Sequence, residues 1–124
     1  MKKILIVDDD PVIVALVKNR LESHHYEVLT ATDGQEAIQS VDISKPDLIV
    51  MDIMMPNMDG GTAVRILNSK EETKSIPIIF LTAFSSQFPH GSESQGINVD
   101  GRNYPTIAKP FELADLLAKI NQLI

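Results

Sequence analysis

Aspartates that directly follow two short apolar runs are the residues in this sequence best suited to chemistry. Residues 8–10 are three consecutive aspartates after the run 3–7, and Asp52 follows the run 47–51. If both runs are strands of one parallel sheet, their carboxyl ends meet at the same edge, and the carboxylates converge there. Converging carboxylates can bind a divalent cation, and one of them can act as a nucleophile.

Repulsion between these carboxylates indicates a bound cation. Two carboxylates about 4 Å apart repel each other by about 1 kcal/mol in water and by about 4 kcal/mol at an effective dielectric constant of about 20. A divalent cation removes that repulsion, whereas an isolated cluster would raise its own pKa values. The chain has no cysteine, and no histidine pair stands near the aspartates. An all-oxygen ligand set favours Mg²⁺, Mn²⁺ or Ca²⁺ over zinc.

Short apolar runs alternate with helical patterns, and this alternation predicts an α/β fold. The strand candidates are rich in Ile, Val and Leu and lie at residues 3–7, 28–31, 47–51 and 78–81. Helix candidates lie at residues 11–25, 35–41 and 60–70 and after residue 110, each preceded by turn or cap residues. The pattern predicts a doubly wound parallel sheet with right-handed crossovers. In the strand order 2-1-3-4-5, the first and third strands are neighbours and their ends form the expected ligand site.

Composition limits the remaining classes of function. A length of 124 residues fits one domain, which we expect to span 1–124. The net charge of -6 opposes binding to phosphate backbones, so we expect no direct nucleic-acid binding by this domain. Four apolar residues at 4–7 are too few for a signal-peptide core or a membrane span. We therefore expect a soluble cytoplasmic protein without membrane contact.

Five sequence blocks resemble the receiver domain of two-component response regulators, including the chemotaxis regulators. In family order they are ILIVDDDP (4–11), PDLIVMD (46–52), MPNMDG (55–60), LTA (81–83) and KPF (109–111). The resemblance extends over residues 3–124 apart from 85–105. It implies a five-stranded, flavodoxin-like receiver fold and a place in a two-component phosphorelay.

The resemblance also implies where a phosphoryl group would be bound. Asp52 corresponds to the phosphoacceptor, a carboxylate nucleophile that takes the phosphoryl group of a phosphohistidine. The donor would be a sensor histidine kinase or a histidine phosphotransfer protein. Lys109 corresponds to the lysine that pairs with the phosphoryl oxygens, and Thr82 corresponds to their hydroxyl donor. The chain would then act on itself only, by phosphotransfer and autodephosphorylation at Asp52, and would switch an output partner that the sequence does not identify.

A metal site next to Asp52 is implied by the same resemblance. Asp8 and Asp9 correspond to the acidic pair that binds Mg²⁺, with Mn²⁺ as a substitute. Asp52 and the backbone carbonyl of Met54 would complete the protein's ligands. Phosphoryl transfer depends mainly on positioning and charge neutralisation, so a nucleophile, a metal ion and a cation are a sufficient apparatus.

Residues 85–105 depart from the family pattern. They hold three of the six glycines and two of the seven prolines, and no amphipathic helix fits them. We therefore expect an atypical, loop-like segment and an atypical or missing fourth helix. Thr106 stands where the family has an aromatic switch residue, three positions before Lys109. Tyr104 could replace that aromatic side chain only if the strand register shifts or bulges.

Two other functions stay open. A pseudo-receiver would keep the fold and act as a phosphorylation-independent interaction module, and the departures after Thr82 favour it. A metal-dependent phosphatase acting through Asp52 is disfavoured, because Ile53 and Met54 replace the Asp-x-Asp-x-Thr continuation of such enzymes. The GxxxxG spacing at 91–96 lacks the Lys and Ser/Thr of a phosphate-binding P-loop, so nucleotide binding has no support.

Overall fold

The computed structural model describes residues 1–55, 57–83 and 97–124. The described chain has seven strands, β1 (Lys3–Val7), β2 (Glu27–Ala31), β3 (Leu48–Asp52), β4 (Ile78–Ala83), β5 (Ile97–Val99), β6 (Arg102–Tyr104) and β7 (Thr106–Lys109). Its four helices are α1 (Pro11–Ser23), α2 (Gly34–Ser44), α3 (Gly60–Asn68) and α4 (Leu113–Leu123). None of these four helices has the length and apolarity needed to cross a bilayer.

Five strands form one parallel sheet in the order β2-β1-β3-β4-β7. The predicted doubly wound sheet and its strand order are confirmed, with β7 in fifth place because β5 and β6 pair separately. In the register, Val7 lies opposite Met51, and Asp52 lies opposite Leu81. The carboxyl ends of β1, β3 and β4 therefore meet at one edge of the sheet, as the sequence predicts.

Helices cover both faces of the sheet, which explains the continuous apolar runs of its central strands. Leu5 and Val7 of β1 lie in one core cluster with the buried residues of α2 and α3. Ile4 and Ile6 lie in a second cluster with the buried residues of α1 and α4. The helix residues in the two clusters are Ala37, Val41, Ala63, Val64 and Leu67 in the first, and Val17, Leu21, Leu116, Leu117 and Ile120 in the second.

Aspartates begin three of the helices. Asp10, Asp33 and Asp59 are the N-caps of α1, α2 and α3, and each carboxylate accepts a backbone N–H, at 2.9, 2.8 and 2.7 Å respectively. Each cap satisfies one of the N–H groups that have no partner in the first helical turn. These aspartates therefore fix where each helix starts, close to the edge that carries the predicted site.

A short antiparallel hairpin occupies the described part of the segment 85–105. Its strands are β5 and β6, and Asp100 and Gly101 turn the chain with φ of 52° and 86°. Tyr104 is buried against the main sheet, with its ring edge-on to Phe80 at 5.6 Å between centroids. The Tyr104 hydroxyl oxygen accepts a hydrogen bond from Asn68 Nδ2 at 2.6 Å.

The expectations for residues 85–96, including the atypical or missing fourth helix, fall outside the described residues. For Thr106 the placement is clear, since it pairs with Phe80 in the β4–β7 register. Tyr104 lies on the hairpin strand β6, before β7 begins, and its hydroxyl is bound to α3. In this structure, Tyr104 is therefore a core residue that joins the hairpin to α3.

Candidate functional site

The carboxyl edge of the sheet brings together most of the predicted site residues. Asp8 follows β1 directly, Asp52 is the last residue of β3, and Lys109 is the last residue of β7. Thr82 lies on β4, one residue beyond the partner of Asp52, and its side chain is buried. Because β1, β3, β4 and β7 follow one another in the sheet, residues far apart in sequence lie along one stretch of its carboxyl edge.

Lys109 is bound to two aspartates at once. Its Nζ atom donates to Asp8 Oδ2 at 2.8 Å and to Asp52 Oδ2 at 3.2 Å. The exposed fractions of the three side chains are 0% for Asp8, 7% for Asp52 and 19% for Lys109. In so little water, charge-assisted hydrogen bonds are strong, and each charged group depends on the others for compensation.

Asp9 adds a third carboxylate at the solvent side of this pair. One oxygen atom each of Asp8, Asp9 and Asp52 lie within 4.8 Å of one another. The Asp8 carboxylate is also oriented by the backbone, since its Oδ1 accepts a hydrogen bond from the Asp10 N–H at 2.9 Å. A hard divalent cation fits this set, because it prefers carboxylate oxygens, and Lys109 alone leaves two of the three negative charges uncompensated. Asp8, Asp9 and Asp52 could thus hold a metal ion.

Burial and the negative charge of Asp8 disfavour ionisation of the Asp52 carboxyl group. Burial, followed by the negative charge of Asp8, raises the pKa of Asp52, and Lys109 and the Met54 N–H offset only part of that rise. Burial by itself lowers the pKa of Lys109, but its contacts with Asp8 and Asp52 together raise that pKa above the ordinary value. Lys109 is therefore a permanent cation at this site, while the ionisation of Asp52 would be favoured by a bound metal ion.

Met54 and Gly60, on the way from β3 to α3, both lie close to Asp52. The backbone N–H of Met54 donates to Asp52 Oδ1 at 3.2 Å, and the Met54 side chain is 72% exposed. Gly60, at the start of α3, lies so close to β3 that a Cβ atom there would be 2.6 Å from the backbone oxygen of Asp52. The predicted ligand Met54 therefore has its backbone beside Asp52, in a loop closed by the contact of α3 with β3.

An apolar groove, which the sequence analysis missed, lies beside Lys109. It has a volume of about 170 Å³ and runs between α1 and the chain that follows β7, lined by Ile13, Leu16, Val17, Pro110, Phe111 and Leu113. Leu16 is 55% exposed, although most apolar residues of α1 face the core. An apolar residue outside the core-facing stripe of a helix is a signal that could have revealed this groove.

A contact between α2 and the loop after β3 was also missed. Asn57 Nδ2 donates to Asp33 Oδ2 at 3.0 Å. Asp33 is the cap residue of α2, which agrees with the turn or cap residues predicted ahead of the helix candidate 35–41. Nothing in the sequence pattern links it to a residue 24 positions away.

Comparisons with known proteins agree with this architecture. Residues 4–121 match the family described as the response regulator receiver domain. The chain is 37% identical over 123 residues to the alkaline phosphatase synthesis transcriptional regulatory protein PhoP of Bacillus subtilis, covering 99% of this chain and 48% of that protein. The chain thus spans about half the length of such curated relatives.

Solved structures show the same fold. The chemotaxis protein CheY4 of Vibrio cholerae is 31% identical, with a TM-score of 0.84 over 100% of this chain and 99% of that one. The response regulator TrrA of Thermotoga maritima, solved in complex with Mg²⁺-BeF, is 33% identical, with a TM-score of 0.79 over 100% of both chains. Receiver domains are signalling modules, not conventional enzymes, and they interact with histidine kinases and output domains. From the family match and these likenesses, we conclude that the chain belongs to the response regulator receiver domain family.

Proposed function

We propose that this chain accepts a phosphoryl group on Asp52 from a phosphohistidine-bearing sensor kinase or phosphotransfer protein, in the cytoplasm, and so switches an output partner. The observation that carries the proposal is the convergence of three carboxylates with Lys109, whose ammonium contacts Asp8 at 2.8 Å and Asp52 at 3.2 Å. A nucleophilic carboxylate, an acidic pair and a fixed cation are the parts that phosphoryl transfer needs.

Asp52, Lys109 and Thr82 each have a separate role in the proposed transfer. A carboxylate oxygen of Asp52 attacks the phosphorus atom, a P–O bond forms, and the P–N bond of the donor breaks with its electron pair leaving on the imidazole nitrogen. The Lys109 ammonium offsets negative charge on the transferred group, and the Thr82 hydroxyl donates to one of its oxygens. Autodephosphorylation reverses the modification when water attacks the acyl phosphate, which releases inorganic phosphate and restores the Asp52 carboxylate.

Mg²⁺ fits the site as a resident cofactor. Asp8, Asp9, Asp52 and the Met54 backbone carbonyl would hold it, an all-oxygen set of the kind that Mg²⁺ prefers. When bound, it would supply two positive charges that offset the negative charge of the phosphoryl group. The Mg²⁺-BeF complex of the relative TrrA supports the same choice of ion.

Phosphorylation by a small donor tests the proposal without knowledge of the kinase. The native protein is incubated with acetyl phosphate and Mg²⁺ and its intact mass is measured, beside Asp52→Asn and a matched control, Asp59→Asn. Asp59 caps α3 outside the carboxylate cluster, and asparagine is an equally good cap. We expect one added phosphoryl group on the native protein and on Asp59→Asn, and none on Asp52→Asn.

Other outcomes identify the alternatives. If Mg²⁺ binds to the native protein but no phosphoryl group is added, the chain is a pseudo-receiver, the function that Thr106 in the aromatic position favours. Continuous release of phosphate from many phosphate monoesters would instead identify a phosphatase acting through Asp52. Either result contradicts the proposed function.

A further inference from the structure

The loop between β3 and α3 carries the Met54 carbonyl and is anchored first at its two ends. The Ile53 N–H donates to Leu81 O at 3.1 Å, which continues the sheet by one residue. At the other end, the Gly60 N–H donates to Ile53 O at 3.0 Å and closes the loop. These contacts fix where the loop leaves and returns, but they do not reach the residues between.

The middle of the loop is held by the start of α2. Asn57 Nδ2 donates to Asp33 Oδ2 at 3.0 Å, and the Gly34 N–H donates to Met58 O at 3.1 Å. Asp33 is fixed in turn, because its other carboxylate oxygen caps α2 by accepting the Glu36 N–H at 2.8 Å. We call these two contacts, made by Asp33, Gly34, Asn57 and Met58, the Asp33–Asn57 latch.

Close packing between the loop and α2 fixes the position of the loop. A Cβ atom on Gly34 would be 2.6 Å from Met58 O, so the loop lies directly on the first turn of α2. Asn57 holds a φ of 68°, a left-handed conformation that asparagine tolerates better than most residues. The N–H of Glu36 and then the amide of Asn57 lower the pKa of Asp33, so the latch contains a carboxylate and its hydrogen bonds are charge-assisted.

We propose that the Asp33–Asn57 latch positions the Met54 carbonyl for the metal ion, so that Asn57 is a positioning residue for Mg²⁺. Asn57 is three residues from Met54 in the chain. Among the described residues, the latch and the Met54 N–H contact with Asp52 are the hydrogen bonds that hold the loop between its ends, beside the packing of the Met55 and Met58 side chains against the core. Mg²⁺ demands near-ideal octahedral geometry, whereas Ca²⁺ accepts flexible arrangements of its ligands. The inference rests on the proposed function, which supplies the Mg²⁺ site.

The test measures metal affinity in the whole chain by isothermal titration calorimetry. Asn57→Gly removes the side-chain amide, and glycine keeps the left-handed backbone at no steric cost. His25→Gly is the matched control, since exposed His25 has the same φ of 68° at the end of α1, away from the latch. We expect Asn57→Gly to weaken Mg²⁺ binding about tenfold, at the low end of losses for residues that orient metal ligands, and to weaken Ca²⁺ binding much less.

A second variant keeps both the helix cap and the latch. In Asp33→Asn, the side-chain oxygen can still cap α2, and the Asn57 amide can turn to accept from the new NH₂ group. We expect its Mg²⁺ affinity to fall less than that of Asn57→Gly. Equal Mg²⁺ affinity in the native protein and Asn57→Gly would contradict the positioning role of the latch. Equal losses of Mg²⁺ and Ca²⁺ affinity would also contradict it, because they would mean that the whole site had become less ordered. If the native protein fails to bind Mg²⁺, both the proposed function and the proposed role of the latch are wrong.

Discussion

One ammonium group at the carboxyl edge of the sheet is shared by two buried carboxylates. Lys109 contacts both Asp8 and Asp52, and Asp9 adds a third negative charge within 4.8 Å of the others. A single positive charge holds the buried pair together but leaves the cluster with two negative charges in excess. That residual charge is the one that a divalent cation cancels, so the metal-free protein is under electrostatic strain at this point.

The strain at Asp52 predicts a pH-dependent gain in stability for Asp52→Asn. Because the pKa of Asp52 is raised in the folded state, the proton is bound more tightly there than in the unfolded chain. The folded state therefore loses stability as the pH rises from the ordinary carboxyl pKa through the raised pKa of Asp52. Without Mg²⁺ at pH 7, we expect Asp52→Asn to melt at a higher temperature than the native protein, with the difference shrinking as the pH is lowered.

Thermal melting at several pH values checks this expectation, with Asp59→Asn as the control that changes the net charge equally. Mg²⁺ should reverse the order, since it stabilises the native protein by binding only the folded state. A lower melting temperature for Asp52→Asn at pH 7 without Mg²⁺ would show that Lys109 outweighs burial and the charge of Asp8.

At the scale of elements, the contact of α3 with β3 leaves no room for a side chain at Gly60 but leaves room at the adjacent Gly61. A Cβ atom on Gly60 would be 2.6 Å from the Asp52 backbone oxygen, whereas one on Gly61 would only touch the Asp59 side chain at 3.6 Å. We expect Gly60→Ala to lower the free energy of unfolding by about 1–3 kcal/mol, as for an overpacked core. Gly61→Ala should raise it by about 0.5–1 kcal/mol, because alanine restricts the unfolded chain.

Urea denaturation of the two variants measures both values. Under the proposed function, Gly60→Ala should also reduce phosphorylation of Asp52 by acetyl phosphate, since the clash displaces the backbone of Asp52 itself. Equal stabilities for the two variants would show that α3 can move away from β3 without cost.

The elements that the sequence predicts are those with long apolar patterns. The strands β1 to β4 and all four helices were predicted to within a few residues, and the convergence of Asp8 with Asp52 followed from strand ends and strand order. The β5–β6 hairpin was not predicted, because three-residue strands are too short to show a period. It is stabilised by tertiary contacts of Tyr104 with Phe80 and Asn68, and such contacts leave no local pattern. The contact of Asn57 with Asp33 was missed for the same reason.

At the scale of the whole molecule, the carboxyl edge of the sheet and the apolar groove lie side by side. Lys109 belongs to both, since its ammonium contacts Asp52 and the residue lines the groove next to Pro110 and Phe111. Under the proposed function, a protein that delivers a phosphoryl group to Asp52 would approach this edge, and the groove would offer an apolar surface for its side chains. A small donor such as acetyl phosphate does not need to bind to that surface.

This difference predicts a variant that separates the two kinds of donor. Replacing Leu16, which is 55% exposed on the groove, by glutamine should slow transfer from a phosphorylated histidine protein by about tenfold, a loss of about 1.4 kcal/mol in binding. Phosphorylation by acetyl phosphate should keep its native rate. The control is Ile43→Gln, since Ile43 is 83% exposed on α2 and does not line the groove. Equal rates for Leu16→Gln and the native protein with both donors would contradict a docking role for the groove.

The turn of the hairpin gives experimenters a place to attach a probe. Asp100 and Gly101 are exposed, and a side chain added at Gly101 would meet no atom within 4 Å. Exposed loop tips are the sites where chains best tolerate insertions. Residues inserted between Asp100 and Gly101, bearing a fluorophore, would be connected through β6 and Tyr104 to the core beneath the edge that carries Asp52. A label there could follow the state of the domain in real time while leaving the carboxyl edge of the sheet and the apolar groove untouched.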